Sequence, residues 1–305
     1  MVPFARDGGV SETTVMEVLQ TDAWVEALEL KAAHPDAVPI AGGTDLMVEL
    51  NFDRTRPPAI LDLTRIPELT QWGPENGRLR IGAGVTYTRL IAELGDRLPG
   101  LAIASRTVGS PQIRNRGTVG GNLGTSSPAG DGLPPLFASD AEVELASRAG
   151  ARRIPVGEFV TGPKRNCLAG DELIAAFHIA PAHGPQQFAK IGTRNAMVIA
   201  VCSLALSIWP ERRAVTACIG SAGPMPIRAT EAERFIAGVL DERDLWSEPV
   251  PIPETALANF GELVEKAARP IDDVRGTARY RHHALGVLGR RTLAWAWEAY
   301  RCALR

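Results

Sequence analysis

Two short glycine-rich stretches, AGGTDL at 41–46 and TVGGNLG at 118–124, carry the residue types in this chain best suited to holding an anion. Glycine lets backbone amides approach a ligand with no Cβ in the way, and it loses more conformational entropy on folding than other residues. Paired glycines therefore need a structural or binding reason. Amides that converge in such a turn form a nest for an anion, and the start of a helix adds positive partial charge. In the first stretch Gly42 and Gly43 offer amides and Thr44 a hydroxyl; in the second, Thr118, Gly120, Gly121 and Asn122 repeat the set. Two nests facing each other suit a diphosphate. Asp131, closing the run TVGGNLGTSSPAGDG (118–132), has acceptor oxygens for a ribose or an adenine group, and so does Asp45. Each Gly-Gly pair taken alone also reads as a plain turn. Neither stretch is the GxGxxG of nicotinamide-binding folds.

Other chemistries lack their residues. There is no HExxH, no GxSxG and no P-loop. Cys167, Cys202, Cys218 and Cys302 form no CxxC pair, which argues against a zinc knuckle, a tight iron–sulfur site or a disulfide framework. The five histidines, His34, His178, His183, His282 and His283, read as structural or surface residues, and no metal site is expected. With 33 basic and 35 acidic residues and a net charge of −2, the chain shows no footprint for nucleic acid or an anionic membrane. No apolar run approaches the roughly 20 residues of a membrane span. The start, MVPFARDGGVSETTV, reads as a short loose tail with no secretory leader, and a cytoplasmic protein is expected.

Several elements must position the two glycine stretches. A helix is expected through residues 22–34, a short buried strand at AVPIAGG, a helical turn at DLMVELN, and a strand at AILDLTRI after Pro57-Pro58. A strand at RLRIGAGV enters a helix near Thr88, and helical spacing continues to Ser105. GSPQIRNRG reads as a polar link into a loop at TVGGN. A helix and a strand then flank Asp140-Ala141, and DELIAAFHIA is a further strand. PAHGP (181–185) is the linker candidate. Beyond it, antiparallel strands lead to amphipathic helices at ATEAERFIAGVL and ETALANFGELVEKAARP and a long closing helix; a helix is also expected between the first two of those strands. The class is α+β in two parts.

Six stretches, PIAGGTDLMVEL (39–50), GSPQIRNRGTVGGNLGTSSPAGD (109–131), DELI (171–174), KIGTRNAMVIA (190–200), GPMPIRA (223–229) and DDVRGTARYRHHALGVLGRRTL (272–293), resemble the FAD-binding medium subunit of the molybdenum hydroxylases. That family includes the xanthine dehydrogenase, carbon monoxide dehydrogenase and aldehyde oxidoreductase types. The stretches run in family order and cover nearly the whole chain.

The resemblance implies a two-subdomain FAD-binding domain of the vanillyl-alcohol oxidase (PCMH-like) type at 14–178, its subdomains about 14–56 and 57–178. A C-terminal domain of three-stranded antiparallel sheet plus helices follows at 186–305, with FAD between the two. By position, Ala41, Gly42, Gly43, Thr44 and Asp45, with Thr118, Val119, Gly120 and Gly121, would hold the diphosphate. Asn122 and Asp131 would serve the adenosine side or its ribose. Val108, Gly109, Ile174 and Lys190 would lie at the flavin end or its approach. Neither glycine stretch contains His or Cys, so non-covalent FAD is expected. Arg114 and Arg116 read as solvated or facing a partner, and Arg194 as paired with a surface acid or, alternatively, positioning an acceptor phosphate. The molybdenum cofactor and two-iron iron–sulfur clusters would sit on a large and a small partner subunit, in a dimer of heterotrimers. Substrate would be hydroxylated at molybdenum, and electrons would pass through the clusters to FAD and on to NAD or another acceptor. No catalytic side chain is implied in this chain. A xanthine dehydrogenase-like holoenzyme is the first expectation. A free-standing FAD-dependent oxidoreductase and a non-redox assembly subunit are the alternatives.

Overall fold

The computed structural model describes residues 16–304. The stretch read as a loose tail lies outside them. Three sheets carry the architecture. The first is parallel, with Ala59–Asp62 between Glu17–Gln20 and Val38–Ile40. Its central strand lies beyond residue 57, so the first unit extends past the boundary expected there. Pro57-Pro58 cannot donate to a ladder, but the Pro58 carbonyl still accepts from Glu17 N at 3.0 Å, and pairing continues through the break.

The second sheet is antiparallel, in the order Trp72–Glu75, Arg78–Gly82, Leu173–Ile179, Glu142–Ser147, Gly150–Pro155. Leu173–Ile179 is buried along its whole length, as a central strand covered on both faces should be. The expected polar link at GSPQIRNRG contains a helix, Pro111–Arg116. Ser110 caps it by accepting from Ile113 N, and Pro111 sits in its first turn. TVGGNLG, read as a loop, is also helical over Val119–Thr125. The Thr118 hydroxyl accepts from Gly121 N at 2.8 Å and starts that helix against the glycines' weak propensity.

The third sheet is antiparallel: Gln186–Ile191, Cys202–Trp209, Ala214–Gly220 and a two-residue edge strand, Ile227–Arg228. It has four strands rather than the expected three, because Ile227 and Arg228 of GPMPIRA pair with Ile219 and Cys218. No helix joins its first two strands; residues 192–201 form bends and irregular backbone. Cys202–Trp209 alternates. Leu204, Leu206 and Ile208 face the core beneath the helices Thr230–Glu242, Glu254–Ala267 and Ala278–Ala303. Ala205, with Cys218 and Phe188, packs into the core of the N-terminal part. The two parts thus share an apolar seam as well as polar contacts such as Gly100 N donating to Gln186 Oε1 at 3.2 Å. Among the described residues no helix is long and apolar enough to cross a membrane.

Candidate cofactor-binding site

The two glycine stretches, about 75 residues apart in the chain, meet backbone to backbone. A Cβ on Gly42 would overlap the carbonyl of Arg116 and come within 2.9 Å of Gly117 Cα, so this glycine is required by the contact between the stretches. Gly43 has φ +72°, a left-handed conformation that side chains rarely adopt. Asp45 Oδ2 accepts from the Thr125 hydroxyl at 3.1 Å, a second tie across the junction. Thr86 bridges to Thr118, and Tyr87 N donates to Gly117 O at 3.0 Å, which fixes the start of the second stretch on the five-stranded unit.

The glycines of the second stretch divide by role. A Cβ on Gly120 would drive into Ala83, so Gly120 is a packing glycine. A Cβ on Gly121 would meet only Thr118 Oγ1, at 3.1 Å; beyond that its outer face is open to the cleft. That exposed face is the close approach that a diphosphate needs.

The cleft measures about 760 Å³. One wall is Ala41 to Asp45, and the other is Thr118, Gly120, Gly121 and Asn122. Val108, Gly109, Asp131 and Ile174 complete the lining expected from sequence. Gly109 has φ +46°, and Arg114 donates to the Val108 and Gly109 carbonyls at 3.0 and 3.1 Å. Arg114 is half-buried and holds that bend. Arg116 does line the cleft.

Two expected residues are not on the wall. Val119 is buried in the core at 1 % exposure. Lys190, near the end of its strand, lies behind Asp131: its ammonium is 2.5 Å from Asp131 Oδ2 and 3.0 Å from Thr107 O. Burial pushes the Asp131 carboxyl above its ordinary range, against the opposing pull of Lys190 and the Thr107 hydroxyl. Oδ2 is thus engaged by this chain, while Oδ1 is buried without a partner; Asn122 Oδ1 is likewise an unpartnered buried acceptor. Two such orphans cost free energy unless a ligand supplies donors.

Sequence reasoning missed three kinds of lining residue. Tyr87 lines the cleft and is 3 % exposed. Met197, Val198 and Ile199 line it from the 192–201 segment, with Met197 and Ile199 each 56 % exposed. Arg194 shapes that segment by donating to the Ala196 and Met197 carbonyls at 3.1 Å, and no acid pairs with it among the described residues. Lys164 and Glu49, an ion pair, also line the cleft. The motif-bearing stretch KIGTRNAMVIA was a signal for the second group; nothing local marked Tyr87.

Comparison with known proteins agrees with this geometry. Residues 14–182 match the FAD binding domain in molybdopterin dehydrogenase, and residues 187–296 match the CO dehydrogenase flavoprotein C-terminal domain. The chain is 30% identical over 286 residues to a xanthine dehydrogenase FAD-binding subunit of Escherichia coli O157:H7, covering 90% of this chain and 93% of that one. It is 32% identical to the nicotinate dehydrogenase FAD-subunit of Eubacterium barkeri, covering 74% and 81%. A chain of carbon monoxide dehydrogenase from Hydrogenophaga pseudoflava superposes with a TM-score of 0.83 at 26% identity, covering 92% of this chain and 98% of that one. The residues present fit FAD: glycine amides with an open face suit its diphosphate, and the orphaned Asn122 and Asp131 acceptors suit its hydroxyl or amino hydrogens. The chain belongs to the family of FAD-binding subunits of the molybdenum hydroxylases.

Proposed function

We propose that this chain is the electron-transfer subunit of a heteromeric, xanthine dehydrogenase-like hydroxylase, in which FAD is held non-covalently in the 760 Å³ cleft. Bound flavin supplies the redox chemistry; the chain binds it, orients it and shields it. Within this reading Ala41 to Asp45 and the open face of Gly121 take the diphosphate, and Asn122 and Asp131 take hydroxyl or amino hydrogens. Val108, Gly109 and Ile174 lie on the flavin side, and Lys190 acts by fixing Asp131. Residues 14–178 form the FAD-binding part and 186–305 the C-terminal part.

The partners in this reading are a large subunit with the molybdenum cofactor and a small subunit with two-iron clusters, assembled as a dimer of heterotrimers in the cytoplasm. Electrons from the clusters leave through the flavin subunit to NAD or another acceptor. The single observation that carries the reading is the backbone junction of the two glycine stretches beside two unpartnered buried acceptors.

The test is to purify the chain with its co-expressed partners, record the absorbance spectrum, denature the complex and identify the released cofactor. Free FAD with iron–sulfur absorbance is expected, and turnover of xanthine with NAD reduction distinguishes it from nicotinate or aldehyde oxidation. A colourless complex that takes up no FAD overturns the reading.

A further inference from the structure

Ser221 is a strained residue at the meeting point of three segments. Its φ is +58°, in the left-handed region that disfavours a side chain. Every polar group of the residue is engaged. Its N–H donates to Pro128 O at 2.9 Å, in the turn that leads to Asp131. Its hydroxyl donates to Ala200 O at 2.7 Å. Its carbonyl accepts from the Arg281 guanidinium at 2.7 Å, and Arg281, 3 % exposed, is held in turn by Asp273 Oδ1 at 2.6 Å. Three contacts over-determine the conformation, which is how a strained backbone persists.

The hydroxyl bond has a specific task. Residues 192–200 form a largely exposed loop that supplies Met197, Val198 and Ile199 to the cleft. Arg194 braces that loop from within, through the Ala196 and Met197 carbonyls. Among the described residues, the contact from Ser221 to Ala200 is the one hydrogen bond between residues 192–200 and another segment. Glycine would hold φ +58° without strain and would keep the bonds to Pro128 and Arg281, but it has no hydroxyl. The three lining side chains are apolar, so they suit a planar ring and not a phosphate. We propose that Ser221 is a positioning residue: it sets the apolar wall 197–199 against the turn 128–131 and so closes the cleft over the flavin ring of the bound cofactor. The inference rests on the FAD reading above.

The experiment titrates the deflavinated complex with FAD, FMN and ADP by calorimetry, in wild type, Ser221→Gly and Ser221→Ala. FMN carries the flavin ring and ADP does not. Both variants are expected to weaken FAD and FMN by about 3- to 10-fold and to leave ADP unchanged. The difference spectrum of bound FAD should move towards that of free FAD in both, because the apolar wall stands off from the ring. Ser221→Gly removes the strain together with the hydroxyl, so its unliganded thermal midpoint should lie above that of Ser221→Ala. A shared loss of flavin affinity at two different midpoints separates positioning from stability. Unchanged FAD affinity and spectrum, or an equal loss for FMN and ADP, overturns the proposal. Wild-type protein that binds no FAD overturns the underlying reading instead. Should Ser221→Ala fold poorly, Ser221→Gly against wild type carries the same comparison.

Discussion

Lys190 and Asp131 form an ion pair of 2.5 Å across the join between the two parts of the chain, and each side chain is less than a tenth exposed. Lys190 comes from the third sheet, and Asp131 from the turn that closes the second glycine stretch. The ammonium occupies Oδ2, and Oδ1 stays buried without a partner. The same bond therefore ties the two parts together and orients the acceptor.

Lys190→Met removes one partner of that buried pair and leaves a carboxylate with no counter-charge. Such losses cost about 3–5 kcal/mol. Urea unfolding should show a drop of that order together with weaker FAD binding. The double variant Lys190→Met with Asp131→Asn should recover much of the stability without the FAD affinity. A single variant as stable as wild type would mean that the pair holds nothing together.

Gly121→Trp should abolish FAD binding while the apo fold survives. The new side chain has open cleft before it, with Thr118 Oγ1 at 3.1 Å as its nearest neighbour, so it blocks the ligand and not the core. Titration calorimetry with FAD and a far-UV circular dichroism melt separate the two effects. Retained FAD affinity would remove the diphosphate from this wall.

Gly42→Ala should do the reverse and damage the fold. Its Cβ would enter the Arg116 carbonyl, a backbone atom that cannot swing aside. A destabilisation of about 1–3 kcal/mol is expected from overpacking. Chemical denaturation would register this as a lower midpoint with an unchanged slope.

Glu144 predicts an acid limb in stability. On the five-stranded sheet it lies 2.6 Å from His178 Nε2 and accepts from Arg80 at 2.8 and 3.0 Å, with Arg153 at 3.9 Å and Glu75 close to both arginines. His178 first, then Arg80, holds the carboxyl down to about 2, from an ordinary 4.5. A depressed carboxyl binds fewer protons folded than unfolded, so its stabilisation is complete above pH 4.5 and is lost as pH falls towards 2. The unfolding free energy of Glu144→Gln should be lower at pH 7 and flatter between pH 4.5 and 2. Parallel curves for variant and wild type would locate the acid limb elsewhere.

Local order decided what could be read in advance. Strands such as Leu173–Ile179 and Cys202–Trp209 are mostly apolar segments of strand length, and the helices Thr230–Glu242 and Glu254–Ala267 repeat apolar residues at helical spacing; period and composition are properties of neighbouring residues. The glycine stretches and the closing Asp131 were visible for the same reason, since a nest is built from consecutive amides. The sequence by itself thus determined the α+β class, the anion-holding segments and the family.

Only the tertiary structure decided which glycine serves which purpose. Gly42 and Gly120 face backbone and Gly121 faces the cleft, a difference set by segments distant in the chain. The same holds for TVGGNLG becoming a helix once Thr118 caps it and the core receives Val119, and for Arg114 turning onto the Val108 and Gly109 carbonyls. It holds for Lys190 standing behind Asp131 and for Tyr87 reaching Gly132. Burial and hydrogen-bond partnership are set by what the fold brings alongside a residue, and no spacing along the chain encodes that for a single tyrosine or lysine.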